Sequence, residues 1–263
     1  MRIGICGLGF VGNAINSFFK NKECELFIYD KYKNINSFNT ILDTEILFIC
    51  LPTQFCEIKH TYNMNEINSI LFMLYENKYK GIILIKSTVL PTYCSNINNI
   101  YTDLKIVSNP EFLSANTAEI DFMNQNHIIL GYTDQSYDSI NIVKLFYTNM
   151  FPNAKISITN SNTSCMTKLV CNSFYATKIQ FFTEIYLLCK EINISYDDVK
   201  SLMLSNTWIN PKHTNIPGPD NMISFGGMCL PKDISALNSL MENYNITNDV
   251  INATIMERNR MRK

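Results

Sequence analysis

The sequence predicts an α/β fold: a parallel sheet interleaved with helices, then an all-helical domain with a long central helix. Three observations carry this. Short apolar runs recur through the first part of the chain, at Arg2–Cys6, Glu25–Tyr29, Glu45–Thr53, Gly81–Thr88, Leu104–Phe112 and His127–Thr133. Continuous runs of this kind suit strands covered on both faces. The first run stops at Gly7-Leu8-Gly9-Phe10-Val11-Gly12, and helical spacing follows at Val11, Ala14, Ile15, Phe18 and Phe19. After Ala154–Asn160 the pattern becomes one uninterrupted helical stretch from Asn162 to Glu191. The chain therefore divides into residues 1–160 and residues 161–263.

Composition sets the outer bounds. The 263 residues are 46% hydrophobic and 17% charged, as in an ordinary globular protein. A formal net charge of -1 argues against a broad nucleic-acid surface, so no nucleic-acid partner is expected. No signal peptide and no bilayer-length apolar run is apparent, which leads to the expectation of a cytoplasmic protein without a membrane partner. Nine cysteines in that setting are expected as free thiols. Cys6, Cys50, Cys171 and Cys189 lie in apolar runs and are expected to be buried packing.

The first element pair has the form of a Rossmann-type dinucleotide site. Gly7 permits the turn out of the strand. Gly9 leaves the backbone open to a pyrophosphate, and Gly12 lets the helix pack against the sheet. The helix N-terminus offers N–H groups and a positive dipole end to the phosphates. Asp30 ends the second strand, where a carboxylate accepts ribose hydroxyls and favours NAD over a 2′-phosphorylated cofactor. Phe10, Val11 and Lys33 belong to the same cofactor-binding set. A strand before the glycines, a helix after them and the acid at Asp30 make the motif specific where the glycines alone are not.

Ligands of parallel α/β sheets bind beyond the carboxyl ends of the strands. Leu51-Pro52-Thr53, Lys86-Ser87-Thr88 and Asn109-Pro110-Glu111 stand at those ends. Thr53, Thr88 and Glu111 are therefore expected to share a rim with Gly9, although the prolines alone could serve only to end strands.

The long helix has Ser161 or Thr163 as its expected N-cap. Leu169, Phe174, Ile185 and Leu188 lie on broad apolar faces, so burial against the first domain or a second copy is expected. Lys168 and Asn172, at i and i+4, share a face with no acid at i±4 to pair with the lysine. A solvated lysine and surface amide account for that spacing as well as a site does. A helix from Tyr196 to Leu204 follows, then a loop containing Trp208, His213 and the run Phe225-Gly226-Gly227-Met228-Cys229. Another helix begins near Pro231. Cys229 thus precedes a helix N-terminus, whose dipole, with nearby lysines, would lower its pKa.

Taken together, these motifs resemble the UDP-glucose 6-dehydrogenases and related UDP-sugar dehydrogenases. The matching pieces are G-L-G-F-V-G (7–12), L-P-T (51–53), S-T-V (87–89), N-P-E-F-L (109–113), K-L-V-C-N (168–172) and F-G-G-M-C-L-P-K-D (225–233). They occur in the family's order over nearly the whole chain. The resemblance implies NAD as cofactor and two successive oxidations of a sugar alcohol, UDP-glucose to UDP-glucuronate. It makes Cys229 the nucleophile and assigns Lys168 and Asp233, with a water, to the proton of the 6-hydroxyl. Asn172 is implied at the oxyanion, Glu111 as base in thioester hydrolysis, and Thr88 in placing a water. Lys232, Pro52, Thr53, Ser87 and Thr88 join the cofactor set. Phe112, Leu113, His213, Phe225, Gly226 and Gly227 join Glu111, Lys168, Asn172 and Cys229 around the substrate. No metal is implied.

The chain departs from the family where Ala115 and Asn116 replace an acid and a glycine, and where Trp208-Ile209-Asn210 replaces Arg-Ile-Gly. The resemblance is to a short form lacking the C-terminal UDP-binding domain, and a homodimer through the helical domain is implied. Two other readings stay open: a β-hydroxyacid dehydrogenase, which needs no thiol, and a non-catalytic NAD-binding module.

Overall fold

The computed structural model describes residues 1–262. The chain forms two compact units, Met1–Gln54 with Tyr62–Lys168, and Phe55–Thr61 with Leu169–Lys263. The division falls inside the long helix, directly after Lys168.

In the first unit the strands are β1 (Arg2–Cys6), β2 (Glu25–Tyr29), β3 (Ile46–Ile49), β6 (Ile82–Ile85), β7 (Lys105–Ser108), β8 (His127–Tyr132) and β9 (Lys155–Asn160). A short ribbon of β4 (Phe55–Cys56) and β5 (Thr61–Tyr62) interrupts the series. The helices of the sheet are α1 (Phe10–Phe19), α2 (Asn65–Glu76), α3 (Tyr93–Ile100), α4 (Ala118–Met123) and α5 (Ile140–Met150). The sheet order is β2-β1-β3-β6-β7-β8-β9.

The apolar runs are explained by burial on both faces. Ile3, Ile5, Ile46 and Phe48 join one core with Phe19 and Phe146, whereas Leu47, Ile49, Ile83 and Ile85 join the other with Ile67 and Leu71. Neighbouring residues of a strand point to opposite faces, so a doubly covered strand must be apolar throughout.

The strands are shorter than their apolar runs suggest. Leu51-Pro52-Thr53, Ser87-Thr88 and Asn109–Phe112 leave the ladder as loops. In register, Cys6 neighbours Ile49, Ile49 neighbours Ile85, and Ile85 neighbours Ser108. The carboxyl ends of β1, β3, β6 and β7 thus line up, and the loops following them share one rim.

The sheet is mostly rather than wholly parallel. β8 runs antiparallel to β7, with Val107 opposite Tyr132 and Ser108 opposite Gly131, and β9 is parallel to β8. The helix between β7 and β8 is α4, whose short span rises only about 9 Å. That is too little to carry the chain back along a strand for a parallel return.

The second unit holds the Leu169–Glu191 part of α6 (Ser161–Glu191), then α7 (Tyr196–Leu204), α8 (Leu230–Asn243) and α9 (Asp249–Met261). Helix α9 carries no strong apolar stripe in sequence. The cap of α6 differs from expectation: Asn160 Oδ1 accepts the Thr163 N–H at 2.9 Å, so the side chain before the helix does the work assigned to Ser161 or Thr163. The burial expected for α6 holds only in part. Leu169 is fully enclosed, but Phe174, Phe181 and Leu188 are 60%, 47% and 54% exposed.

Among the described residues no two cysteines are joined in a disulfide. Cys6 and Cys189 are buried, whereas Cys50 and Cys171 are only partly so, contrary to the expectation of four core thiols. Among the described residues no helix is long and apolar enough to cross a membrane.

Candidate active site

The glycine motif caps α1. Gly7 has φ +92°, and a Cβ there would also lie 2.8 Å from the Cys50 carbonyl oxygen. A Cβ on Gly12 would sit 2.0 Å from the Gly7 oxygen. A Cβ on Gly9, the residue that opens α1, would meet nothing within 4 Å. One glycine allows the turn, one allows close packing, and the third leaves room over a helix N-terminus. That open cradle fits a pyrophosphate. Phe10 and Val11 begin the helix behind it.

Asp30 anchors this loop. Its Oδ2 accepts the Leu8 N–H at 2.7 Å, and its Oδ1 accepts the Tyr32 and Lys33 N–H groups at 3.0 and 2.9 Å. Burial pushes the carboxyl up, but these N–H groups and the Lys33 ammonium outweigh it and hold the pKa below the ordinary value. Lys33 Nζ donates to the Leu8 carbonyl at 2.7 Å. A carboxylate has about four lone-pair sites, so capacity for a ribose hydroxyl remains.

The rim loops are tied to one another. Thr53 Oγ1 donates to the Thr88 carbonyl at 2.7 Å, and Ser87 Oγ donates to the Leu51 carbonyl at 2.6 Å. The loops after β3 and β6 are thereby held together, and β3 itself pairs with β1, the strand before the glycine loop. Further along, the Lys168 ammonium lies 3.2 Å from Glu111 Oε1 and 5.3 Å from the centre of the Phe112 ring. Glu111 Oε2 accepts the Leu113 N–H at 2.6 Å. Glu111, Phe112, Leu113 and Lys168 therefore form one cluster. Sequence spacing on the helix offered no acid for Lys168; the structure supplies one from the loop after β7.

Lys86 was not singled out by the sequence reading. Its Nζ donates to Asn109 Oδ1 at 3.2 Å and to the Pro110 carbonyl at 3.4 Å, while the Tyr147 hydroxyl donates to the same Asn109 oxygen. Burial pushes its ammonium down to about 8, against the opposing pull of Cys50 and Glu111 and with help from Lys168. The available signal was a lysine closing an otherwise apolar strand.

In the second unit, Cys229 is the residue before α8, and its carbonyl accepts the Asp233 N–H at 3.0 Å. Asp233 is 0% exposed. Its Oδ2 accepts from Asn172 Nδ2 at 2.6 Å and its Oδ1 from Lys232 Nζ at 2.5 Å. Gly227 has φ +76°, which lets the chain turn into the cysteine. Phe225 is buried against Ala176 and Ile234. The His213 ring packs 4.7 Å from the Tyr175 ring, and burial, then Lys212 and Lys178, push its pKa down. Trp208, where the family pattern has arginine, is 93% exposed.

Chemically, the first unit offers a phosphate-sized cradle and a buried carboxylate–ammonium pair. The second offers a thiol at a helix start beside a carboxylate held by an amide and an ammonium. Lys168 is the last residue of one unit, and Asn172, one helical turn later, belongs to the other.

Models of the UDP-glucose/GDP-mannose dehydrogenase family match this chain twice, the NAD binding domain at residues 30–151 and the central domain at residues 162–260. The UDP-glucose 6-dehydrogenase of Rickettsia felis is 33% identical over 230 residues, covering 86% of this chain and 50% of that protein. The chain spans about half the length of the rickettsial relatives it matches. A UDP-glucose dehydrogenase structure from Pyrobaculum islandicum aligns with TM-score 0.85 at 18% identity, over 98% of this chain and 68% of that one. A 3-hydroxyisobutyrate dehydrogenase from Mycobacterium tuberculosis aligns with TM-score 0.73 at 14% identity, over 98% and 92%. These two likenesses concern the fold. With both of its domain models placed in order along the sequence, the chain belongs to the UDP-glucose/GDP-mannose dehydrogenase family.

Proposed function

We propose that the protein carries out the NAD-dependent double oxidation of UDP-glucose to UDP-glucuronate. The observation that carries this reading is Cys229 at the start of α8, one turn before a buried Asp233 that is bonded to Asn172 and Lys232. Bound NAD supplies hydride acceptance at each oxidation. Gly9 and the N-terminus of α1 would hold its phosphates, and Asp30 would hold a ribose.

Asp233 takes the proton from the 6-hydroxyl through a water that the Lys168 ammonium orients, as the alcohol becomes an aldehyde. Cys229 Sγ, as thiolate, then adds to the aldehyde carbon. The oxygen takes a proton and a thiohemiacetal forms. Lys168 and Asn172 stabilise the negative charge that develops on this oxygen. The second oxidation leaves a thioester on Cys229. Glu111 draws a proton from the water that attacks it, with Thr88 placing that water, and the thiol is returned as the acid departs.

The β-hydroxyacid alternative draws support from the fold likeness alone and gives the thiol no task. Measuring NADH absorbance across a panel of UDP-hexoses separates the two. The expected result is two NADH per UDP-glucose, with Cys229→Ser lowering acid formation by about 100-fold or more. One NADH per substrate and an indifferent Cys229→Ser would sink the proposal.

The proposed assembly is a homodimer through α6. Phe174, Phe181 and Leu188 are spaced seven apart along that helix and are exposed in the single chain. That is the period of a helix–helix seam.

A further inference from the structure

The structure assigns Arg262 as the positioning residue of the Cys229 loop: its guanidinium clamps residues 220–224 and packs over Gly226. The segment needs holding, since Asn221 and Ser224 both have positive φ, at 59° and 62°. Arg262 Nη1 and Nη2 grip Asp220 Oδ2 and Oδ1 at 2.5 and 3.1 Å. Its Nε donates to the Ile223 carbonyl and Nη2 to the Ser224 carbonyl, each at 2.8 Å. One planar fork thus ties a carboxylate and two carbonyls together, a task a lysine cannot reproduce. Arg258 Nε adds a longer contact to the Phe225 carbonyl at 3.4 Å.

The two adjacent glycines sit in different surroundings. Gly227 is set by its φ of +76°, with open space around it. Gly226 has no such backbone demand, but a Cβ there would lie 2.1 Å from Arg262 Nη1. The guanidinium occupies the place of that side chain. Ser224 is also held from α6, donating from Oγ to Gln180 Oε1 and from its N–H to Thr183 Oγ1. The loop is therefore strapped between α6 and α9 immediately before it delivers Cys229. Arg262 lies just beyond the stretch matched by the central-domain model.

The inference stands on geometry and not on the reaction proposed above, so its test reads the thiol rather than turnover. Purified protein is treated with iodoacetamide, and labelling of Cys229 is followed by peptide mass spectrometry beside hydrogen exchange over residues 218–229. Arg262→Met is expected to speed exchange across 220–226 by about tenfold and to change the Cys229 labelling rate by about threefold or more. The labelling rate of Cys24, in the other unit, should stay as in the parent. Arg262→Lys should fall between the two. Asp220→Lys, which repels the guanidinium from an exposed position, should act in the same direction and carries the test if Arg262→Met does not fold. Parent-like exchange and labelling in Arg262→Met, or in Asp220→Lys if that variant alone folds, overturns the assignment.

Discussion

At the scale of single residues, the fold takes several charges out of water. Lys86 is the plainest case. Its pKa is lowered by burial to about 8 from 10.5, with Cys50 and Glu111 working against the shift and Lys168 with it. The folded state therefore releases this proton before the unfolded state does. Its charged form destabilises the fold in full below about pH 8, and that cost fades as pH rises towards about 10. The displacement corresponds to roughly 3 kcal/mol. Lys86→Met should remove it. Measured by urea denaturation, the parent should gain stability relative to Lys86→Met between about pH 7 and about pH 10. Parallel profiles would mean that Lys86 does not titrate in that window. Asp30, Glu111, Lys168, Asp233 and Cys229 were singled out in the sequence by motif, position and family resemblance. Lys86 and Arg262 were not, because their roles depend on carbonyls and amides that no local spacing reveals.

At the scale of elements, the β1–α1 turn and the α8 start are the two ends that the proposed reaction uses. The three glycines of the motif do separate jobs, so their substitutions should fail differently. Gly9→Val places its side chain in open space and should fold normally while losing NAD binding by about tenfold or more. Gly12→Ala drives a methyl into the Gly7 carbonyl oxygen, 2.0 Å away, and should cost about 1–3 kcal/mol of stability. Thermal melts with NAD titrations separate the two, and equal melting temperatures for both variants would contradict the packing role of Gly12. Helix α6 was readable because thirty-one residues pass without Gly or Pro. Helix α7 was readable from its bounds, and α8 from Pro231. The direction of β8 was not, since an apolar strand reads the same either way. α9 was missed because its faces are mixed; it packs Ile251 and Ile255 against the Phe225 cluster and brings Arg258, and Arg262 directly after it, to the loop.

At the scale of the whole molecule, an apolar row along α6 is left exposed in the single chain. Phe174, Phe181 and Leu188 form a seam on α6, and the proposed dimer covers it. Phe181→Glu should convert a dimer to a monomer in analytical ultracentrifugation, since a charge at a buried apolar contact is costly. A monomeric parent protein would remove that proposal. The sequence by itself determined the α/β order, the glycine turn, the acid at the end of β2, the long helix and the thiol before α8. It could do so because strand burial, backbone conformation and helix initiation are written in neighbouring residues. Only the tertiary structure decided which acid meets Lys168, what holds Asp233, what packs over Gly226 and which apolar residues of α6 stay exposed. Each of these is a meeting of residues far apart in the chain, and a distance set by packing has no trace in local spacing.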